Sequence, residues 1–169
     1  MENEIVNRVS ESGIQQLSLE DFISKGESVL FDLKPWLFEE LMLKEKDFRE
    51  HIKNHDWNFY QDKNVAITCS ADAIIPTWAF MLIASALQPL AKKIIFGSLQ
   101  QLEEQCMLEA IQEIDAAKFQ NQRVVIKGCA DREIPVSAFV ALTTKLKPVV
   151  KSIMYGEPCS TVPVYKAKN

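Results

Sequence analysis

The 169-residue chain is poor in the residues that interrupt ordinary folds, with 5 Gly, 7 Pro and 4 Cys. That scarcity excludes a collagen-like repeat, a flexible linker protein and a low-complexity segment. No apolar run approaches the roughly 18 residues a membrane-spanning helix needs. Positive charge is not in excess, since Lys plus Arg is 19 against 23 Asp plus Glu, a net charge of −4. A surface built to neutralise phosphates would be basic, which argues against a nucleic-acid partner. The opening Met1-Glu2-Asn3-Glu4 carries no signal-peptide pattern, so the expected compartment is the cytoplasm, with the cysteines as reduced thiols. Neither a glycine-rich phosphate loop nor a G-x-S-x-G hydrolase elbow is present. What remains is the composition of a globular domain, 47% hydrophobic and 25% charged.

An internal repeat organises the chain. Displaced by 59 positions, Asp56–Ser98 lies over Asp115–Glu157 without a gap, with 15 of 43 residues identical. Average composition would give roughly two or three. The matches include Val65/Val124, Ile67/Ile126, Ala71/Ala130, Asp72/Asp131, Ile75/Ile134, Pro76/Pro135, Ala79/Ala138, Phe80/Phe139 and Gly97/Gly156.

Each copy reads as strand, loop, helix, strand. Val65–Cys69 and Val124–Gly128 are short apolar runs of the kind that form buried parallel strands. The segments Thr77–Leu87 and Val136–Leu146 fit helices that begin after Pro76 and Pro135 and stop before Pro89 and Pro148. Lys92–Phe96 and Lys151–Tyr155 follow as strands, each leading to a glycine. Between the copies, Ser98 and Gln101 form a capping-box pattern, opening a helix with Leu99, Leu102, Cys106 and Ala110 on one expected core face. Upstream, Ser28–Leu33 reads as a strand and Trp36–Asn54 as a long amphipathic helix, with a further short helix over Ser18–Ser24. The expected fold is thus a single α/β domain over residues 1–169, with a mostly parallel sheet of about five strands in βαβαβαβαβ order. Residues 1–27 form a short N-terminal lead.

Ligands in such sheets bind beyond the carboxyl ends of the strands. Cys69, Cys129 and Cys159 all fall just after predicted strands, with Asp72, Asp131 and Glu157 nearby as supporting carboxylates. Soft thiolates suit zinc or an iron–sulfur cluster. Against this stand the lack of any C-x-x-C pair and the ordinary behaviour of cysteine as a small buried residue. Asp72 and Asp131 also fit a simpler role, each bracing its own loop by accepting backbone N–H bonds. His51 and His55 are spaced i, i+4, a metal-ligand spacing, but at the last turn of a helix they read as a solvated helix end. Cys106 is read as core packing. Trp36, Trp57 and Trp78 do not interleave with basic residues and read as half-buried packing. No catalytic residue emerges from these patterns.

Two segments carry a family resemblance: Cys69-Ser70-Ala71-Asp72-Ala73-Ile74-Ile75-Pro76-Thr77-Trp78-Ala79 and Gly156-Glu157-Pro158-Cys159-Ser160-Thr161-Val162-Pro163. With Lys44–Arg49 and Asn54–Trp57, they make the chain resemble an uncharacterised family of Bacteroidota, domain of unknown function 2480, over nearly its whole length. The resemblance implies no established activity and no catalytic residues to carry over. It does imply a genomic association with sulfur mobilisation for iron–sulfur cluster assembly, which suits a cysteine-bearing accessory factor. A weaker likeness is to the STAS domain of sulfate transporters and anti-sigma-factor antagonists. The antagonists' Asp-Ser pattern is absent from Asp72-Ala73-Ile74 and Asp131-Arg132-Glu133.

The functional expectation is therefore an accessory protein of iron–sulfur or sulfur metabolism. It would use Cys69, Cys129 and Cys159 to hold a metal, cluster or persulfide and would dock a protein partner, the iron–sulfur assembly machinery. The alternative is a metal-free interaction scaffold. A homodimer joined through cysteine edges is compatible with either.

Overall fold

The computed structural model describes residues 13–127, 133–157 and 160–168. Seven strands and four α-helices are formed among them. The strands are β1 (Ile14–Leu17), β2 (Ser28–Asp32), β3 (Asn64–Thr68), β4 (Lys93–Phe96), β5 (Arg123–Ile126), β6 (Ser152–Glu157) and β7 (Ser160–Lys166). The helices are α1 (Glu45–Asn54), α2 (Thr77–Leu87), α3 (Leu99–Gln112) and α4 (Val136–Leu146). The class is α/β with mostly parallel strands, as expected.

The strands are shared between two sheets rather than joined in one. One sheet runs β2-β3-β4, all parallel, and the other runs β1-β5-β6-β7, with only β7 antiparallel. The chain correspondingly divides into two compact units, residues 24–105 and residues 1–23 with 106–169, so that the boundary falls inside α3. The first is continuous in sequence and the second is split around it. The expected count of about five strands does not include β1 or β7. The tail over residues 162–166 is apolar enough to pack on the body or add a strand, and it adds one, β7.

Each unit follows the same plan. Asn64 of β3 and Arg123 of β5 are repeat equivalents, and they pair with Ser28 of β2 and Ile14 of β1. β1 and β2 thus take the same place in their sheets, 14 residues apart in sequence. The repeat also reaches further back than Asp56. Leu33 and Leu19, which follow β2 and β1, are both buried, and so are Phe48 of α1 and Met107 of α3. Even the turns correspond: Asp62 and Asn121 adopt φ of 59° and 60° and donate N–H bonds to the carbonyls of Leu90 and Val149.

The central strands β3 and β5 bury Val65, Ala66 and Ile67 in one sheet and Val124, Val125 and Ile126 in the other. A strand covered on both faces requires such an uninterrupted apolar run. Helices α2 and α4 have the expected bounds; Pro76 and Pro135 cap them with φ of −61° and −65°. Their inner faces bury Ala79, Ile83 and Leu87, and Ala138, Leu142 and Leu146. The Ser98–Gln101 capping box forms: the Gln101 N–H donates to Ser98 Oγ at 3.1 Å, and the Ser98 N–H donates to Gln101 Oε1 at 2.8 Å.

Three local expectations change. The helix expected over Trp36–Asn54 begins only at Glu45, preceded by a short 3-10 turn over Lys34–Trp36. Glu39 and Glu40 have φ of 51° and 58°, and Phe38 bridges Met42, so this apolar stretch turns rather than winds. The helix expected over Ser18–Ser24 is a 3-10 turn, Leu19–Phe22. On α3 the buried residues are Leu102, Met107 and Ile111, whereas Leu99 is exposed and Cys106 and Ala110 are only partly covered.

Candidate functional site

The carboxyl edge of the three-stranded sheet gathers Asp32 at the end of β2 and Thr68-Cys69-Ser70 at the end of β3. Asp32 Oδ1 accepts the backbone N–H groups of Ser70 and Lys34 at 2.9 and 3.0 Å, and Oδ2 accepts the Ser70 hydroxyl at 2.5 Å. Burial alone would raise the Asp32 pKa, but these bonds and the Lys34 charge outweigh it and hold the carboxyl below its ordinary 3.8. The carboxylate is thus saturated with donors and acts as a clamp on the loop after β3. The sequence assigned loop bracing to Asp72, which is exposed. The bracing residue comes instead from the neighbouring strand, and no local spacing marks it.

Cys69 is half-buried and packs against the core of the continuous unit. Cys129, Asp131 and Cys159 lie outside the described residues. The case for a common cysteine edge assumed one sheet; β3, which precedes Cys69, is in a different sheet from β5 and β6, which precede Cys129 and Cys159. Glu157 closes β6, paired with Ser160 of β7. Among the described residues, no three His, Cys, Asp or Glu side chains are grouped to hold a metal.

His55 is not a solvated helix end. Its ring lies among Phe31, Trp36, Trp57 and Tyr60, with centroids 4.7 Å from Trp57 and 5.2 Å from Trp36. His55 Nε2 and the Tyr60 hydroxyl are 3.3 Å apart. The Trp57 indole N–H donates to the Ile52 carbonyl at 2.8 Å, fixing that ring to α1. Burial lowers the His55 pKa from 6.5; the Asp56 charge opposes the shift and the His51 charge adds to it. Burial likewise raises the Tyr60 hydroxyl above 10.0. The cluster is filled by its own rings, so it is a core with a polar centre rather than an empty cage. The half-buried state expected for Trp36, Trp57 and Trp78 holds.

The most distinctive surface is an apolar groove that occurs once in each unit. In the continuous unit, Ile67, Phe80, Met81, Ala84, Ile94 and Phe96 surround a volume of about 450 Å³. In the split unit, Ile126, Phe139, Val140, Thr143, Tyr155 and Val164 surround about 520 Å³. Five of these pairs are repeat equivalents: Ile67/Ile126, Phe80/Phe139, Met81/Val140, Ala84/Thr143 and Phe96/Tyr155. Each groove contains an edge-to-face aromatic pair, Phe80–Phe96 at 5.0 Å and Phe139–Tyr155 at 5.6 Å. The rims are unusually bare: Phe96 is 70% exposed, Met81 66% and Val140 59%. Contiguous exposed apolar surface of this kind marks interaction sites. The sequence pattern held the signal, since the repeat matched Phe80 with Phe139 and placed Phe96 over Tyr155. Exposure was what it could not supply.

The described residues contain no helix long and apolar enough to cross a membrane. The family described as "Protein of unknown function (DUF2480)" matches residues 3–167. No curated protein and no solved structure matches the chain.

Proposed function

We propose, on the premise that the chain belongs to the DUF2480 family, that it is a protein-interaction scaffold whose contact surfaces are the repeated apolar grooves. The observation that carries this reading is the double occurrence of the groove. Two stretches of sequence that share only 15 of 43 residues in their matching region both leave the wall positions Met81/Val140 and Phe96/Tyr155 exposed. Exposed Met81 and Phe96 raise the tendency to aggregate unless a partner covers them. Met81 and its neighbours suit an apolar polypeptide surface, because thioether and aromatic side chains adapt to irregular contacts.

The test is site-specific photo-crosslinking in the native cell, with a benzophenone amino acid at Met81, at Val140 and, as a control, at the exposed Lys53 of α1. Polypeptide adducts from Met81 and Val140 but not from Lys53 are expected. Equal yields at all three positions would overturn the reading.

The second reading keeps Cys69, Cys129 and Cys159 as ligands of zinc or an iron–sulfur cluster in an accessory role in sulfur metabolism. It is supported by the half-buried, accessible thiol of Cys69 beside the Asp32–Ser70 clamp and by the sulfur-mobilisation association that the family resemblance implies. Metal and acid-labile sulfide content of anaerobically purified protein, beside the triple Cys→Ser variant, decides it. Stoichiometric metal lost in the variant favours this reading, and equal content in both forms refutes it.

A further inference from the structure

The two grooves differ in what borders them. In the split unit the outer edge of β6 is taken by β7, which runs antiparallel and pairs Tyr155 with Val162, Gly156 with Thr161 and Ile153 with Tyr165. An irregularity between Ile153 and Met154 leaves Val164 as the extra residue, and Val164 forms a wall of the groove. In the continuous unit β4 is the repeat equivalent of β6, and among the described residues no strand lies on its outer edge. The cause is local. After Gly156 the chain reverses into β7, whereas after Gly97 it enters α3 through the Ser98 cap.

Among the described residues, no backbone hydrogen bond is made along this outer edge. The Gly97 N–H donates to the Ile67 carbonyl at 3.0 Å, so by strand alternation the N–H groups of Ile94 and Phe96 face away from β3. Native edges are normally blunted by proline or charge. β7 follows that rule, with Pro163 in its middle and Lys166 at its end; β4 has Lys93 at its start but no proline, and its Ile94-Ile95-Phe96 run is uncharged.

We propose that β4 and its groove take up an extended segment of a partner protein, added antiparallel as a fourth strand, with apolar residues in the pattern Thr161-Val162-Pro163-Val164-Tyr165. The proposal rests on the scaffold reading above and names the partner's form. The molecule itself shows the occupant, because β7 fills the equivalent edge of the other unit. Main-chain bonds to Ile94 and Phe96 supply the pairing, and the groove between Phe80, Met81 and Phe96 supplies selection for a β-branched side chain.

The experiment titrates the full-length protein against a fluorescent synthetic peptide with the sequence of Ser160–Lys166, read by anisotropy. Saturable binding is expected, roughly tenfold weaker for Met81→Glu, which puts a charge in the groove, and unchanged for Lys53→Glu. A peptide N-methylated at alternate amides keeps its side chains but cannot pair as a strand, and it should bind at least tenfold more weakly. If both peptides bind equally and Met81→Glu weakens both, strand addition fails while the scaffold reading survives. Absence of binding to the folded protein at millimolar peptide, or binding untouched by Met81→Glu, overturns the proposal. So does self-association abolished by Met81→Glu, which assigns the edge to a second copy.

Discussion

The two units share a backbone plan and differ in what fills and finishes it. The split unit has an aliphatic core, with Leu19, Ile111, Leu142, Leu146 and Ile153 fully or nearly fully buried, and its sheet is closed on one side by β7. The continuous unit packs Phe31, Phe48 and Tyr60 with half-buried Trp36, Trp57 and Trp78 around His55, and among the described residues no strand pairs with the outer edge of β4. At the position equivalent to His55 the split unit has Ile114, and at Trp57 it has Ala116. The comparison separates what the fold needs from what has been added to it. Buried strand centres, the inner faces of α2 and α4 and the two left-handed turns recur in both, so they belong to the fold. The aromatic cluster and the unpaired β4 edge occur in one, so the shared fold does not require them.

Core truncation should have the largest effect and should be alike in the two units. Ile83→Ala and Leu142→Ala remove equivalent, fully buried side chains, and each should lower stability by about 2–5 kcal/mol in denaturant unfolding. Site-resolved hydrogen exchange would show whether the loss stays within the altered unit. A large inequality between the two variants would break the equivalence of the cores.

The repeat-equivalent glycines Gly97, just after β4, and Gly156, near the end of β6, should separate next. Gly156 has φ of 119°, and an added Cβ would lie 2.6 Å from the backbone carbonyl oxygen of Ser160. Gly156→Ala should therefore cost about 1–3 kcal/mol and loosen the β6–β7 hairpin. Gly97 has φ of 148°, but its Cβ would run into the movable Gln101 side chain. Gly97→Ala carries the strain of a positive φ too, but it meets a side chain that can move rather than backbone, so it should cost less, with the Ser98–Gln101 cap contributing about 1 kcal/mol. Thermal unfolding of both variants ranks them, and the reverse order would contradict the account of the two edges.

A pH dependence should be the smallest of these effects and confined to the continuous unit. The folded-state pKa of His55 lies below 6.5, so the folded protein favours the neutral ring. Its contribution is complete above about pH 6.5 and is lost as the pH falls through the folded value. His55→Phe should flatten this part of the stability–pH curve. The Asp32 pKa is also lowered, so its contribution is present above 3.8 and is lost as the pH falls further. A dependence that persists in His55→Phe just below pH 6.5 would remove His55 as its source.

Much of this plan was legible in the sequence where one physical rule dominates. Pro76 and Pro135 mark the starts of α2 and α4, and the apolar runs at Val65 and Val124 mark buried parallel strands. Ser98 and Gln101 gave their cap directly. Pairing partners were harder to read, because parallel strands take neighbours far along the chain. β1, with its sequence Ile14-Gln15-Gln16-Leu17, carries little apolar signal and gains its strand from β5. That missing partner turned two sheets into one expected sheet, and with it Cys69, Cys129 and Cys159 into one expected edge. Trp36–Met42 misled for a different reason. Its apolar residues fit a helical stripe, but Glu39 and Glu40 take positive φ, which composition does not announce. Asp32 escaped notice because its partner Ser70 is 38 residues away.

The open edge of β4 is the centre of this account, and amide hydrogen exchange of the free, full-length protein tests it most directly. The amides of Ile94 and Phe96 should exchange much faster than those of their equivalents Ile153 and Tyr155, which β7 covers. Equal protection at the two pairs would mean that β4 is already paired and would contradict the account.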